Sequence, residues 1–175
     1  MAIRGRFIGL VIVSIVVIGI LFLGSVTGAG AETMKCRMVI TETMDKRIPV
    51  VDQEGHVLGV HILEGLAFFE SGEIAKVKIE SVYDEIMGKT TQTIGYNIYT
   101  FEDGSTIMGR FQRLAVVDAS GNLSYKGSTE FVKGTGRFAG IKGTASSTGK
   151  NFLPSKDEAL KVFNDVTLTY TLPSE

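Results

Sequence analysis

The sequence predicts an all-β protein: a closed, eight-stranded antiparallel up-and-down β-barrel preceded by an N-terminal hydrophobic helix. Glycine-containing turn signals recur every 15 to 17 residues from Gly55 to Gly136, and the segments between them are rich in Val, Ile, Thr, Tyr and Phe. Several of these segments alternate apolar and polar residues, as strands with one buried face do. A sheet of eight strands usually closes on itself, because closure removes the exposed edges.

The first 31 residues have the composition of a secretory signal. Arg4 and Arg6 precede an uncharged apolar run over residues 7–24, and Ala29-Gly30-Ala31 has small residues at the positions that a signal peptidase recognises. Cleavage after Ala31 would release a β-barrel domain of residues 32–175. The alternative is an uncleaved membrane tether, because the apolar run is nearly long enough to span a bilayer. Both alternatives predict an extracytoplasmic domain, periplasmic or secreted.

The glycine rhythm divides the domain into eight strands. Glycine beside Asp, Asn or Ser supplies the positive φ that tight hairpins need. A capping box from Ser155 to Glu158, directly after Pro154, predicts a short helix or turn before the last strand. The expected strands are 35–48, 56–70, 73–84, 90–101, 105–117, 122–132, 137–149 and 163–172.

The sequence does not decide which residues of the fourth and fifth strands face the barrel interior. Tyr96 and Tyr99 lie on opposite faces of the fourth strand, and both faces carry large side chains. In the fifth strand, one parity points Arg113 inward and the other points Arg110 and Gln112 inward. An outer face with aromatic and aliphatic residues would favour a homo-oligomer.

Composition argues against several classes of function. The 18 basic and 19 acidic residues become 16 and 19 without the leader, and no basic stripe suggests a nucleic-acid partner. Cys36 is the one cysteine, so no internal disulfide is expected. His56 and His61 are five residues apart and point to opposite faces of a strand, so we expect no metal site and no cofactor. Strand sequence follows Gly134-Thr135-Gly136, which predicts a turn rather than a nucleotide loop.

Two segments of the predicted barrel resemble a known family. They are Tyr99 to Thr106 (YTFEDGST) and Gly134 to Gly143 (GTGRFAGIKG). They are similar to the allene oxide cyclase-like and dirigent-like barrel superfamily, in which a GTGRF-type run joins two late strands of an eight-stranded barrel. Gly65 to Glu70 (GLAFFE) resembles an uncharacterised bacterial branch of that group. The resemblance covers most of residues 50–172 and implies the barrel fold.

The resemblance implies no particular activity. The superfamily includes plant cyclases, stereochemical guides of radical coupling and bacterial proteins of unknown role, and none of its active-site residues can be placed on this chain by a matching motif. Fold alone is a weak guide to activity.

The function that we expect first is binding of a small apolar or amphipathic molecule, because eight strands enclose either a packed core or one small ligand. Candidate lining residues are His61, Tyr96, Tyr99 and Arg113. One alternative is a structural, oligomeric envelope protein. The other is a cyclase- or dirigent-like enzyme or stereochemical guide, although the sequence has no nucleophile elbow and no clustered acid pair.

Overall fold

The computed structural model of the chain is a closed barrel of eight antiparallel strands in sequence order. It describes residues 30–87, 89–117, 123–152 and 159–174, and only the backbone of residues 151 and 152. Each strand pairs with its neighbours in the chain, and β8 closes on β1, so the predicted up-and-down barrel is confirmed. The strands are β1 (Glu32–Pro49), β2 (His56–Phe69), β3 (Ile74–Ile86), β4 (Thr90–Phe101), β5 (Thr106–Val117), β6 (Leu123–Thr135), β7 (Lys142–Phe152) and β8 (Lys161–Thr171).

Two predicted features fall outside the described residues: the hydrophobic helix over residues 7–24 and the capping box at Ser155. Val162 and Phe163, which follow the capping box, belong to β8. In the part of the chain that the structure describes, no helix has both the length and the apolar character needed to cross a membrane.

The turns follow the predicted glycine rhythm. Left-handed backbone is costly for residues with a Cβ atom and easy for glycine, which explains the residue type at these turns. Two members of the series, Gly88 and Gly121, are among the residues left undescribed. The other four have positive φ: Gly55 (+74°), Gly72 (+90°), Gly104 (+80°) and Gly136 (+58°).

The predicted seventh strand, 137–149, is wrong at its start. β6 continues to Thr135, a single 3₁₀ turn covers Gly136–Phe138, and β7 begins only at Lys142. Positive φ at Gly136 and Gly140 interrupts the extended backbone. The turn directs the Phe138 side chain into the end of the barrel, where it is buried.

The inward faces of β4 and β5 are resolved by the burial pattern. All the buried residues of β4 are odd-numbered and Tyr99 is almost completely enclosed, whereas Tyr96 lies on the outer face. Along β5 Arg113 points inward, and Arg110 and Gln112 point outward. The most deeply buried apolar side chains are those of Ile40, Leu63, Tyr99, Ile107, Val162 and Leu168.

One end of the barrel, here called the aromatic end, is closed by four rings. Phe69 lies 5.3 Å from Phe101, Phe101 lies 4.9 Å from Phe138, and Phe138 lies 6.1 Å from Tyr170, measured between ring centroids. The Arg137 guanidinium lies 4.8 Å from the centroids of both Phe101 and Phe138. The GTGRF-type run therefore packs across this end, as a turn rather than a nucleotide loop.

Candidate functional site

Inward-facing polar side chains lie on the side of the barrel away from the aromatic end. Each has a buried nitrogen or oxygen atom with no hydrogen-bond partner among the described residues. We call this set the polar belt: His61 on β2, Ser81 on β3, Thr93 and Asn97 on β4, Arg113 on β5 and Asn164 on β8. An unpartnered buried polar atom costs about 1–3 kcal/mol, so such atoms mark places where water or a ligand is bound.

A β-bulge in β1 brings a second carboxylate, that of Asp45, to the inner side of the barrel beside Glu42. The register with β2 shifts between Glu42 and Met44, which leaves Thr43 as the extra residue. An extra residue exchanges the two faces of a strand, and bulges occur often beside active sites. Both Glu42 and Asp45 therefore turn toward β2 residues of the interior, and each is mostly buried.

Glu42 holds one nitrogen of His61. The distance from His61 Nδ1 to Glu42 Oε1 is 3.2 Å, and the imidazole is only 5% exposed. A carboxylate accepts hydrogen bonds, so this contact is the hydrogen bond that the Nδ1–H tautomer of His61 would donate. The other nitrogen, Nε2, is buried and has no partner among the described residues.

Tyr83 links His61 to a second carboxylate. The Tyr83 ring lies 4.9 Å from the His61 ring, and its hydroxyl donates to Asp45 at 2.6 Å. Burial and the Asp45 hydrogen bond raise the pKa of Tyr83. Burial opposes ionisation of Asp45, but hydrogen bonds from Tyr83 and Arg47 outweigh it and lower the pKa of that carboxyl. Gly59 makes room for the ring, because a Cβ there would lie 2.1 Å from Tyr83 Cζ.

Arg113 places a guanidinium inside the barrel. Its Cζ atom lies 4.8 Å from the ring centroid of Tyr125, and burial lowers the pKa of Arg113. The Tyr125 hydroxyl donates to the Phe163 carbonyl at 2.9 Å. No carboxylate of the described residues forms a salt bridge with Arg113, which leaves its charge without an anionic partner there.

A small cavity of about 30 Å³ lies between Arg113 and the amides of Asn97 and Asn164. A water molecule needs about 10–15 Å³ on this scale, whereas pockets for drug-sized ligands measure about 300–1,000 Å³. Gly109 and Gly149 border the two amides, and a Cβ at either glycine would lie 2.7 Å from the neighbouring amide oxygen. The space between the described side chains thus admits waters or a small polar group.

The structure does not bring together the four candidate lining residues that the sequence predicted. His61 and Arg113 both belong to the polar belt. Tyr99 points inward but is packed in the core, where its hydroxyl donates to Met38 Sδ at 3.3 Å. Tyr96 is 43% exposed on the outer face and does not line the interior, because strict alternation along β4 points even-numbered residues outward.

Sequence reasoning missed the carboxylates and the amides of the site. The alternation of Cys36, Met38 and Ile40, continued by one step, would have placed Glu42 inward. Asn164 likewise sits between inward-facing residues of β8. Asp45 had no such signal, since its orientation depends on the bulge.

Comparison with known proteins supports the fold. No protein-family model and no curated protein sequence matches the chain. A conserved protein of unknown function from Rhodopseudomonas palustris has a similar structure, with a TM-score of 0.54 and 10% sequence identity, over 81% of this chain and 99% of that chain.

Two pterocarpan synthase dirigent proteins are also similar in structure. Their TM-scores are 0.45 and 0.42, with 11% and 12% identity, over 83% and 81% of this chain and 94% and 97% of theirs. Dirigent proteins are thus among the solved structures to which the chain is similar. At these identities the likeness concerns the fold alone, and the chain is an eight-stranded barrel similar to that of the Rhodopseudomonas protein.

Proposed function

We propose that the barrel binds a small amphipathic molecule whose polar head enters the polar belt. The observation that supports this is the set of six buried polar atoms without partners in the described part of the chain. Left empty, they would cost roughly 6–18 kcal/mol together, which is as large as the whole stability of a typical domain. The polar atoms of a ligand would remove this cost by binding in the belt, whereas a purely apolar molecule would leave the belt unsatisfied.

Arg113 suggests the chemistry of that head. A buried guanidinium without a carboxylate partner favours an anion, and a carboxylate matches its planar donors. The amide oxygens of Asn97 and Asn164 would accept hydrogen bonds from hydroxyl or amine groups nearby. Because the cavity is about 30 Å³, the head must be small, and side chains at the end of the barrel away from the aromatic end would have to move apart to admit an apolar body.

Octanoate and octanol form a suitable pair of probes, because they share a chain and differ in the charge of the head. We expect octanoate to perturb the amide NMR signals of inward-facing residues in β4 and β5, and octanol to bind more weakly. Arg113→Met should weaken octanoate binding by about tenfold or more, since a hydrogen bond to a charged group contributes about 1.5–3 kcal/mol.

Arg110→Met is the matched control, because Arg110 lies on the same strand and pairs with Glu130 on the outer face. It should leave octanoate affinity unchanged. Absence of octanoate binding at millimolar concentration, or equal affinity in both variants, would contradict the proposed site.

The outer face supports a second candidate, a structural protein that assembles with further copies of itself. Monomeric proteins seldom expose contiguous apolar patches beyond about 300–600 Å². Val60, Val82 and Ile94 are paired across β2, β3 and β4. The outer apolar patch consists of these three residues with Ile48, Leu58 and Leu114, each at least 44% exposed.

Light scattering coupled to size-exclusion chromatography tests this candidate. Assembly through the outer apolar patch predicts an oligomer that Val82→Lys converts to a monomer. Val132→Lys is the control, because Val132 is equally exposed on β6, away from the patch. A wild-type domain that stays monomeric at high concentration would exclude this candidate.

We also propose that the barrel is exported. The support is the sequence of residues 1–31, with a basic start, an apolar run and a small-residue exit. N-terminal sequencing of the protein isolated from its own cells should begin at Glu32 if the leader is cleaved, and at the original N-terminus with membrane association if residues 7–24 remain as a tether. Recovery of the full-length chain in the cytoplasm would contradict export.

A further inference from the structure

The two histidines of the chain differ in how their nitrogens are used. His56 contacts carboxylates with both ring nitrogens, Asp52 at 2.6 Å and Asp84 at 2.9 Å, on the outer side of the barrel. His61 contacts Glu42 with Nδ1 only, and its Nε2 atom stays buried and unpartnered among the described residues. A histidine that served packing alone would be expected to satisfy both nitrogens when buried.

The orientation of the pair suits proton transfer. In the tautomer whose Nδ1–H group donates a hydrogen bond to Glu42, the lone pair of the imidazole is on the buried Nε2 atom. A carboxylate behind an imidazole holds the ring in one orientation and stabilises the imidazolium that forms when Nε2 takes a proton. The side chain of Glu42 is 16% exposed, so the pair also connects the interior with solvent.

The residue opposite His61 on the neighbouring strand carries a hydroxyl group. Ser81 is directly opposite His61 in the β2–β3 ladder, and its Oγ atom is likewise buried without a partner among the described residues. Side chains opposite each other in an antiparallel pair have Cβ atoms about 4.5–5.5 Å apart. A bound molecule between them could give a proton to Nε2 and accept a hydrogen bond from Oγ.

We propose that His61 is a catalytic base, positioned by Glu42, that removes a proton from the carbon next to the carbonyl group of a small bound molecule. The C–H electron pair forms the new C=C bond of an enolate, the carbonyl π pair moves to oxygen, and Ser81 donates a hydrogen bond to that oxygen. In a β,γ-unsaturated carbonyl compound the enolate is conjugated with the second C=C bond, so Nε2 can return the proton to the γ carbon. The oxygen pair then re-forms the C=O bond and the α,β double bond is left, which completes an isomerisation. The cycle is redox-neutral and needs no co-reactant.

This inference rests on the proposed function, because the substrate must first enter the polar belt. Its first test needs no ligand: ¹⁵N NMR of the imidazoles at a pH where ordinary imidazoles are neutral. With only two histidines in the chain, His56→Gln assigns the spectrum. We expect the Nδ1–H form at His61, and its loss in Glu42→Leu. An Nε2–H form in the wild type would overturn the proposal.

The second test uses 5-nitrobenzisoxazole, a general probe for protein bases. Removal of its C–H proton forms a nitrile from the C–H electron pair, while the N–O bond breaks and leaves a coloured phenolate. We expect His61→Gln to lower the rate by 10²-fold or more, the usual contribution of a general base. Glu42→Gln should lower kcat about tenfold with little change in KM. His56→Gln should match the wild type.

Backbone amide NMR shifts of the polar-belt residues, recorded with 5-nitrobenzisoxazole, distinguish the proposed proton transfer from the proposed binding function. A probe that binds but reacts equally fast in His61→Gln and the wild type would overturn the proton-transfer inference and leave binding intact. A belt that responds to neither the probe nor octanoate would overturn the proposed function. If 5-nitrobenzisoxazole does not enter the barrel, the imidazole tautomer measured by NMR still tests whether Glu42 positions His61.

Discussion

Replacement of Arg113 by Met is expected to stabilise the unliganded barrel while it weakens ligand binding. The substitution removes a buried Nε–H group that has no partner among the described residues, a gain of about 1–3 kcal/mol. It also removes the contact with the Tyr125 ring, whose centroid is 4.8 Å from the guanidinium, a loss of about 0.5–2 kcal/mol. Methionine fills a similar volume, so the net gain should be about 1 kcal/mol.

Equilibrium unfolding in urea measures this change directly. A gain of 1 kcal/mol corresponds to a rise of about 2–4 °C in Tm for a domain of this size. Arg110→Met, which breaks only an exposed ion pair with Glu130, should change the midpoint very little. A loss of more than about 1 kcal/mol in Arg113→Met would show that the guanidinium is satisfied in the folded protein, and would remove the main argument for an anionic ligand.

Three further predictions concern the rest of the barrel. Leu168→Ala should cost about 2–5 kcal/mol in urea unfolding because Leu168 is fully buried, whereas Leu114→Ala, at a half-exposed site, should cost far less. Gly149→Ala should lower Tm strongly, since a Cβ there would lie 2.1 Å from the Phe163 carbonyl oxygen; an unchanged Tm would contradict this packing. Burial raises the pKa of Cys36 from 9.0 to about 12, so its thiol should react with Ellman's reagent at pH 8 only after unfolding. Because this pKa is higher in the folded state, the stability that Cys36 contributes is complete below pH 9 and is lost as pH rises toward 12, which unfolding at pH 8 and pH 10 can measure.

The strand count was predictable because the turns require glycine, which can be recognised in the sequence. In the described turns, Gly55, Gly72, Gly104 and Gly136 supply the left-handed residue at regular spacing. The bounds of β4 agree with the prediction at both ends. The start of β7 was not predictable in the same way. The run from Gly136 to Gly140 has the composition of a strand end, and only the rings already packed at the aromatic end make it favourable for Phe138 to turn inward.

The site was predictable only in part, for two physical reasons. Alternation identifies an inner face where the two faces differ in polarity, but on β4 both faces are partly apolar, so Tyr96 and Tyr99 could not be told apart. A bulge exchanges faces without a sequence signal of its own, so the inward turn of Asp45 emerges only from the β1–β2 register. His61 was a candidate because it stands between Val60 and Ile62, and Arg113 because one of the two parities of the fifth strand points it inward; that either residue binds a ligand stays a prediction.

The two halves of the barrel interior differ in what they are optimised for. At the aromatic end, Phe101, Phe138 and Arg137 contact one another closely, which is the arrangement that stability alone favours. In the polar belt, apolar side chains of similar volume would remove the cost of unpartnered atoms, yet His61 and Arg113 stand there. Residues that reduce the stability of a fold are characteristic of sites whose polar groups are used by a bound molecule. The Arg113→Met experiment therefore tests binding and stability at the same position, and opposite signs for the two effects would support a functional belt.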